Sequence, residues 1–465
     1  MGPWLRGPKR PGAPSSQYYP FDDVRFKVPS IGRFSEAEFR GSGIELQARK
    51  YDMREGNSEY VYAMKRSQTE SPSHVFQDLS LALNYGQGTG SSQLLGFVTE
   101  HTELVHNPPF KDWKCVLTGG NTSALDLAFR TFTERGDYIL VEEYTYPTAF
   151  ETSSPLGIKF AGIRMDPEGP LPSSMSKILE DWDENARGGK KPHILYTIPT
   201  GQNPSGATQS LERRREIYGV AQKHDVYILE DDPYYFIQML PKASIDRSST
   251  QPPTSQASFI SSLIPSFLSI DTDGRVLRMD SFSKIIAPGT RTGWVTASEQ
   301  IIDRFVRAHE TSLQNPSGFS QIMLFKLLHE GWGHSGMINW LFHLRLEYTK
   351  RRDAMMAACE TYLPHRIVSW SPPKAGFFAW LKINYSLHPH NTTKTPRAIE
   401  REIYEATIES GALVVPGSWF QADQDAELPE LFFRVTFASL NCEDTAEAIK
   451  RFGVAVRACF GVDSC

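Results

Sequence analysis

Cysteine is scarce in this chain, with only Cys115, Cys359, Cys442, Cys459 and Cys465 among 465 residues. The count is odd and no two stand in C-x-x-C spacing. A disulfide framework and a zinc site are therefore not expected, and the thiols read as reduced groups of a cytoplasmic protein. Long apolar runs are missing as well, so no segment reads as a membrane span. The opening MGPWLRGPKRPGAPSS lacks the apolar stretch of a secretory signal. Pro3, Pro8, Pro11 and Pro14 oppose the amphipathic helix of a mitochondrial presequence. Gly2 suggests myristoylation, but Arg6 stands where that motif takes Ser or Thr. There is no basic excess either: the formal net charge is −5, which argues against a nucleic-acid binder.

What is present is the composition of an ordinary globular protein, 40% hydrophobic and 22% charged, long enough for two or three domains. Seven short β-rich runs recur through the middle of the chain: 114–117, 138–143, 158–164, 193–199, 226–231, 275–280 and 293–298. Several are almost continuously apolar, as strands buried on both faces of a parallel sheet are. They alternate with helical stretches such as 211–225, where Ile217, Val220 and Ala221 make a stripe amid charge. The expectation is an α/β protein with a mostly parallel seven-stranded sheet sandwiched by helices.

From about residue 331 the pattern changes. A long amphipathic segment (338–363) precedes runs at 377–383, 412–415 and 432–439, which together suggest a smaller α+β domain. The expected division is an N-terminal arm and packing segment (1–80), a large domain (81–330) and a small C-terminal domain (331–465). The Ser/Thr/Pro-rich stretch 242–258 reads as a surface insertion.

In open parallel sheets, ligands bind beyond the carboxyl ends of the strands, so the residues that follow each run carry the functional reading. After 114–117 comes TGGNTSALDLAF, a glycine turn opening a helix. Free N–H groups and the helix dipole there favour a phosphate, with Gly120, Asn121 and Thr122 at the turn. Standing alone, the same residues would serve equally as a plain cap. After 275–280 come Ser281, Ser283 and Lys284. An amine on such a turn can form a Schiff base with a carbonyl, although a lone lysine after a strand is more commonly a solvated charge. Arg291, seven residues on, could clamp a phosphate bidentately. Asp231 ends its strand and could hold a pyridinium nitrogen protonated, while the neighbouring Asp232 should point the opposite way. Asn203, in a turn, and Tyr234 could donate to a phenolate oxygen.

Taken together, IPTGQNPSG, EDDPYYF, SFSKIIAPGTRTGW and FFRVTF closely resemble the fold-type I pyridoxal-phosphate (PLP) aminotransferases, nearest to the aromatic/2-aminoadipate group. NPSGFSQIMLFKLL (315–328) and WLFHLRLEYTKRRDAM (340–355) resemble its fungal members. The resemblance runs from about residue 80 to the C-terminus. It implies PLP as cofactor, an amino acid and a 2-oxo acid as substrates, and a cytoplasmic homodimer with shared active sites. It implies that Lys284 carries the cofactor and shuttles the proton. Asp231 would pair with the ring nitrogen, Asn203 and Tyr234 would contact the phenolate oxygen, and Tyr146 would stack on the ring. Gly120, Asn121, Thr122, Ser281, Ser283 and Arg291 would bind the phosphate. Arg434, with Asn203, would bind the substrate carboxylate, and Tyr85 would reach the phosphate held by the partner subunit. No metal is implied.

Two departures accompany the resemblance. Asn121, Thr122 and Ser123 stand where the family often has Ser-Gln-Gln, and its Gly-Gly-x-Pro segment has no counterpart before Tyr85. Aromatic residues near the expected pocket, Tyr146, Tyr234, Phe377 and Phe378, suit an aromatic donor. Two other readings remain open from sequence alone. One is different chemistry on the same cofactor, such as a carbon–sulfur lyase, a decarboxylase or a cyclopropane-forming synthase. The other is a non-enzymatic effector-sensing regulator, against which stands the lack of a basic helix-turn-helix pattern in residues 1–80.

Overall fold

The computed structural model describes residues 20–21, 23–29, 43–49, 79–241 and 256–462. The expected N-terminal tail and most of the expected insertion, residues 242–255, lie outside the described residues. In chain order the main elements begin with β1 (Asp23–Val28), β2 (Ile44–Arg49), α1 (Ser92–His106), β3 (Trp113–Thr118) and α2 (Asn121–Phe132). Next come β4 (Tyr138–Glu142), β5 (Lys159–Ile163), β6 (Ile194–Thr197), α3 (Leu211–His224), β7 (Tyr227–Asp231), β8 (Val276–Ser281) and β9 (Gly293–Ser298). They are followed by α4 (Glu299–Glu310), α5 (Gly318–Phe325), α6 (Gly333–Tyr362), β10 (Val368–Trp370), β11 (Phe378–Ile383), α7 (Pro396–Glu409), β12 (Val415–Pro416), β13 (Leu431–Thr436) and α8 (Cys442–Phe460).

All seven runs read from the sequence are strands, and they pair in the order β3-β9-β8-β7-β6-β4-β5. β4 runs parallel to β5 and β6, and β6 parallel to β7, whereas β3 joins β9 antiparallel. The apolar continuity has the expected cause: every residue of β8 is buried, as are all four of β6. This is the mostly parallel α/β architecture anticipated from the sequence. α3 starts at Ser210, whose hydroxyl accepts the Arg213 N–H, and ends at Asp225 in the left-handed region. Its buried face is Arg214, Ile217, Tyr218 and Ala221, with Val220 only half-buried. The stripe is therefore shifted from the one read by hydrophobicity, because Arg214 is buried through pairing.

By density of internal contacts the chain forms two units. The first comprises 1–131 and 279–340. In it β1 and β2 pair antiparallel. Ala48 of β2 is buried with Leu79 and Ile322, with Val24 and Phe319 packed alongside. The Trp332 indole N–H donates to the Pro29 carbonyl at 3.1 Å.

The second unit comprises 132–278 and 341–465. Its four-stranded antiparallel sheet has the order β10-β11-β13-β12, with Trp380 opposite Arg434. Leu381, Phe433, Ile399, Ile403 and Phe452 are almost fully buried beneath it. The run expected at 412–415 forms a strand only at Val415–Pro416, and Leu413 is 73% exposed. The chain leaves α7 through a turn at Gly411, φ +77°, and residues 412–414 take no regular structure before the strand begins at Val415.

Candidate active site

The functional residues of the first unit gather where α2 begins and β8 ends. Gly120 has φ +92°, a backbone that L-residues rarely adopt. A Cβ there would stand 2.9 Å from Arg291 Nη2 and 3.9 Å from Ser281 Oγ. Gly120, Arg291 and Ser281 thus border one small space beside the N-terminus of a twelve-residue helix. The Ser281 hydroxyl donates to Ser283 Oγ at 2.8 Å, and its oxygen accepts the Ser283 N–H at 3.1 Å. Arg291 Nη1 donates to Ser283 Oγ at 3.3 Å and to the Pro288 carbonyl at 2.6 Å. A guanidinium, two hydroxyls and a helix start with no acid in its first turn form a donor set suited to a phosphate.

Asn121 makes a different contact. Its side-chain N–H donates to the Met279 carbonyl at 3.0 Å, tying the helix start to β8. Thr122 is exposed and Lys284 half-buried on the turn after β8. That turn is held by the Ile286 N–H donating to the Phe282 carbonyl at 2.8 Å and by the Trp340 indole donating to the Ile285 carbonyl at 2.6 Å. Tyr85 is 60% exposed.

The candidate residues of the second unit stand beyond the ends of β4, β6 and β7 and, for Arg434, on β13. Glu230 and Asp231 close β7, and Asp232 follows it directly. Glu230 and Asp232, two apart, both pair with the fully buried Arg278, at 3.0 and 3.3 Å. Asp231 lies between them and points the other way, accepting the Tyr196 hydroxyl at 2.9 Å. Strand alternation separates the roles, as expected for Asp232. Asp232 also accepts from Thr200, and Glu230 from the N–H groups of Phe267 and Leu268. Burial and the adjacent Asp231 charge push Tyr196 well above its usual range, so it stays a hydrogen-bond donor.

Asn203 is buried, and its side-chain oxygen accepts from Arg434 Nη1 at 2.7 Å. The Arg434 guanidinium lies 4.4 Å from the Phe378 ring centre and 4.8 Å from that of Phe420. Burial lowers its pKa, while Tyr234 and Tyr146 oppose that shift. Tyr234 is buried against Phe377 and Phe378, and burial first, then Asp231, raises its hydroxyl pKa. Arg434, Tyr146, Phe150, Glu151, Trp419 and Phe420 line a cavity of about 630 Å³. One cation in an aromatic-walled cavity can fix a carboxylate and receive an apolar side chain.

The sequence-derived residues thus fall into two groups. Gly120, Asn121, Ser281, Ser283 and Arg291 meet in the first unit, and Tyr146, Asn203, Asp231, Tyr234 and Arg434 share strand ends or a cavity in the second. Tyr196 and Trp419 were not read from the sequence. Tyr196 sits in an apolar run, ILYT, where a tyrosine looks like core. Its only signal is that a buried tyrosine hydroxyl needs a partner.

A mostly parallel sheet with polar and charged groups at its strand ends is the frame of an α/β enzyme. The chain belongs to the family aminotransferase class I and II, whose model matches residues 51–452. It is 42% identical over 442 residues to an aromatic amino acid aminotransferase of Schizosaccharomyces pombe, covering 95% of this chain and 89% of that one. An L-tyrosine:2-oxoglutarate aminotransferase of Serpula lacrymans is 37% identical, over 88% of this chain and 76% of its own. Among solved structures, the aminotransferase Aro8 of Candida albicans superposes with a TM-score of 0.86 at 36% identity, over 99% of this chain and 93% of its own.

Proposed function

We propose that the chain is a PLP-dependent aminotransferase that moves the amino group of an aromatic L-amino acid (the Trp/Phe/Tyr type) to a 2-oxo acid. The observation that carries this reading is Arg434, bonded to Asn203 and set among Phe378, Phe420 and Tyr146. The names of the Schizosaccharomyces and Serpula relatives support the aromatic donor.

When bound, PLP supplies the electron sink that makes the bond from the α-carbon to hydrogen labile. The chain's residues do the rest. Lys284 carries the cofactor and moves the proton away from and back to the reacting carbons. Arg434 binds the α-carboxylate bidentately, and Asn203 fixes the guanidinium plane, which sets the orientation of the labile bond. Asp231, held by Tyr196, would keep the ring nitrogen protonated. Asn203 and Tyr234 would serve the phenolate oxygen, and Tyr146 would pack on the ring. Gly120, Asn121, Thr122, Ser281, Ser283 and Arg291 hold the phosphate, Asn121 by fixing the helix start. The donor leaves as a 2-oxo acid before the acceptor enters, so the kinetics are ping-pong.

The working form in this reading is a cytoplasmic homodimer, with Tyr85 reaching the partner's phosphate. The test crosses tryptophan, tyrosine, phenylalanine and alanine as donors with 2-oxoglutarate, pyruvate and phenylpyruvate as acceptors. Stoichiometric formation of the new amino acid and 2-oxo acid is expected. Release of ammonia, a thiol or carbon dioxide in place of amino transfer would overturn the reading.

A further inference from the structure

Part of the cavity wall comes from the short turn Gly417–Phe420, which contributes Trp419 and Phe420. The turn is fastened on two sides. Beneath it the buried Glu400 carboxylate accepts the Ser418 N–H at 3.0 Å and also the Ser418 hydroxyl. Beside it the Thr145 N–H donates to the Phe420 carbonyl at 2.8 Å, and Gln421 bridges to Tyr144. The chain reaches Tyr146 one residue after Thr145, so the Trp419 backbone is fixed relative to Tyr146.

The two aromatic residues of the turn differ in what they have left to offer. Phe420 is 2% exposed and already packs against the Arg434 guanidinium. Trp419 is 52% exposed. One side of its indole meets Tyr404, with ring centres 5.6 Å apart. Trp419 also lines the cavity that Arg434 lines. A tryptophan pinned on a rigid turn loses little entropy when a ring covers it, and the covered apolar area favours binding.

We propose that Trp419 is a specificity-determining residue, the surface against which the aromatic side chain of the donor packs while Arg434 holds its carboxylate. This rests on the reading of Arg434 as the carboxylate clamp. The chemistry selected is a carboxylate joined to a ring by a short aliphatic link, in preference to a small aliphatic side chain.

The test uses the full-length, cofactor-loaded protein and the variants Trp419→Ala and Trp419→Phe. Donor kcat/KM is measured for phenylalanine and tryptophan against 2-aminobutyrate as reference. Binding of the unreactive acids 3-phenylpropionate and butyrate is measured by calorimetry. In Trp419→Ala the aromatic-to-aliphatic ratio of kcat/KM should fall about tenfold, mainly through KM, and the phenylpropionate-to-butyrate affinity ratio should fall in parallel. Trp419→Phe should recover most of both ratios. Unchanged ratios in Trp419→Ala would overturn the proposal, as would equal losses for aromatic and aliphatic ligands that phenylalanine does not rescue. A wild-type protein that transfers no amino group from any aromatic donor would instead overturn the proposed activity, and the phenylpropionate comparison would still judge Trp419.

Discussion

At the residue scale, chemistry was legible at strand ends and in the loops that follow them. Asp231 and Ser281 close their strands, Lys284 follows on the turn, and Asn203 and Arg291 lie further along their loops, where sheet geometry places ligands. Residues whose roles depend on a partner distant in sequence were not legible. Tyr196 donates to Asp231 across 35 positions, and Trp419 gains meaning only from the cavity it borders. Asn121, expected at a phosphate, proved to have its side-chain N–H bonded to a β8 carbonyl. Arg434 gives a direct prediction at this scale. Arg434→Lys keeps the charge but loses the planar fork that serves a carboxylate and Asn203 together. Donor kcat/KM should fall roughly 30- to 100-fold, the equivalent of one charged hydrogen bond, with KM raised. A loss under threefold in steady-state kinetics would contradict the clamp.

At the scale of elements, the seven central strands were readable because their apolar runs reflect burial on both faces. β1 was also readable in principle: Val24, Phe26 and Val28 alternate with Arg25 and Lys27, and Val28 is its buried position. The pairing of two buried arginines had no signal, since Arg214 and Arg278 look like solvated charges until Glu230 and Asp232 are seen beside them. Removing one partner leaves buried carboxylates uncompensated. Arg278→Met should therefore cost about 3–5 kcal/mol in urea unfolding, and a change below 1 kcal/mol would contradict the pairing.

α1 supplies a pH prediction. His101 is buried among Phe97, Trp294 and His334, and burial, with a smaller contribution from His334, lowers its pKa to about 3. The unfolded chain takes up a proton near pH 6.5, which the folded chain refuses. Stability should be full above that value and fall as pH drops toward 3, by up to about 1.4 kcal/mol per pH unit. Thermal melts across this range should show a shallower slope for His101→Phe than for the wild type. Equal slopes would remove His101 from the account.

At the scale of the whole molecule, the sequence suggested an α/β body and a smaller α+β domain, because the pattern changes after residue 331; the antiparallel pairing of the second sheet came from the structure. It did not show how contacts divide the chain. The two units each draw on two separate stretches of sequence, with β8 and α6 passing from one to the other. Such a division depends on long-range packing, which local pattern does not encode. Assembly is a prediction at this scale. Sedimentation should give a dimer, twice the 52.4 kDa chain mass, and Tyr85→Ala should weaken PLP retention without dissolving the dimer. A monomer with full activity would contradict the shared-site role of Tyr85.

The most direct test of the central claim compares wild type with Lys284→Ala after reconstitution with PLP and exhaustive dialysis. The wild type should keep a visible absorbance band that responds to an aromatic amino acid, and should transfer the amino group to a 2-oxo acid. Lys284→Ala should lose the covalently retained band and turnover together. If the variant retained both, Lys284 would not be the cofactor lysine.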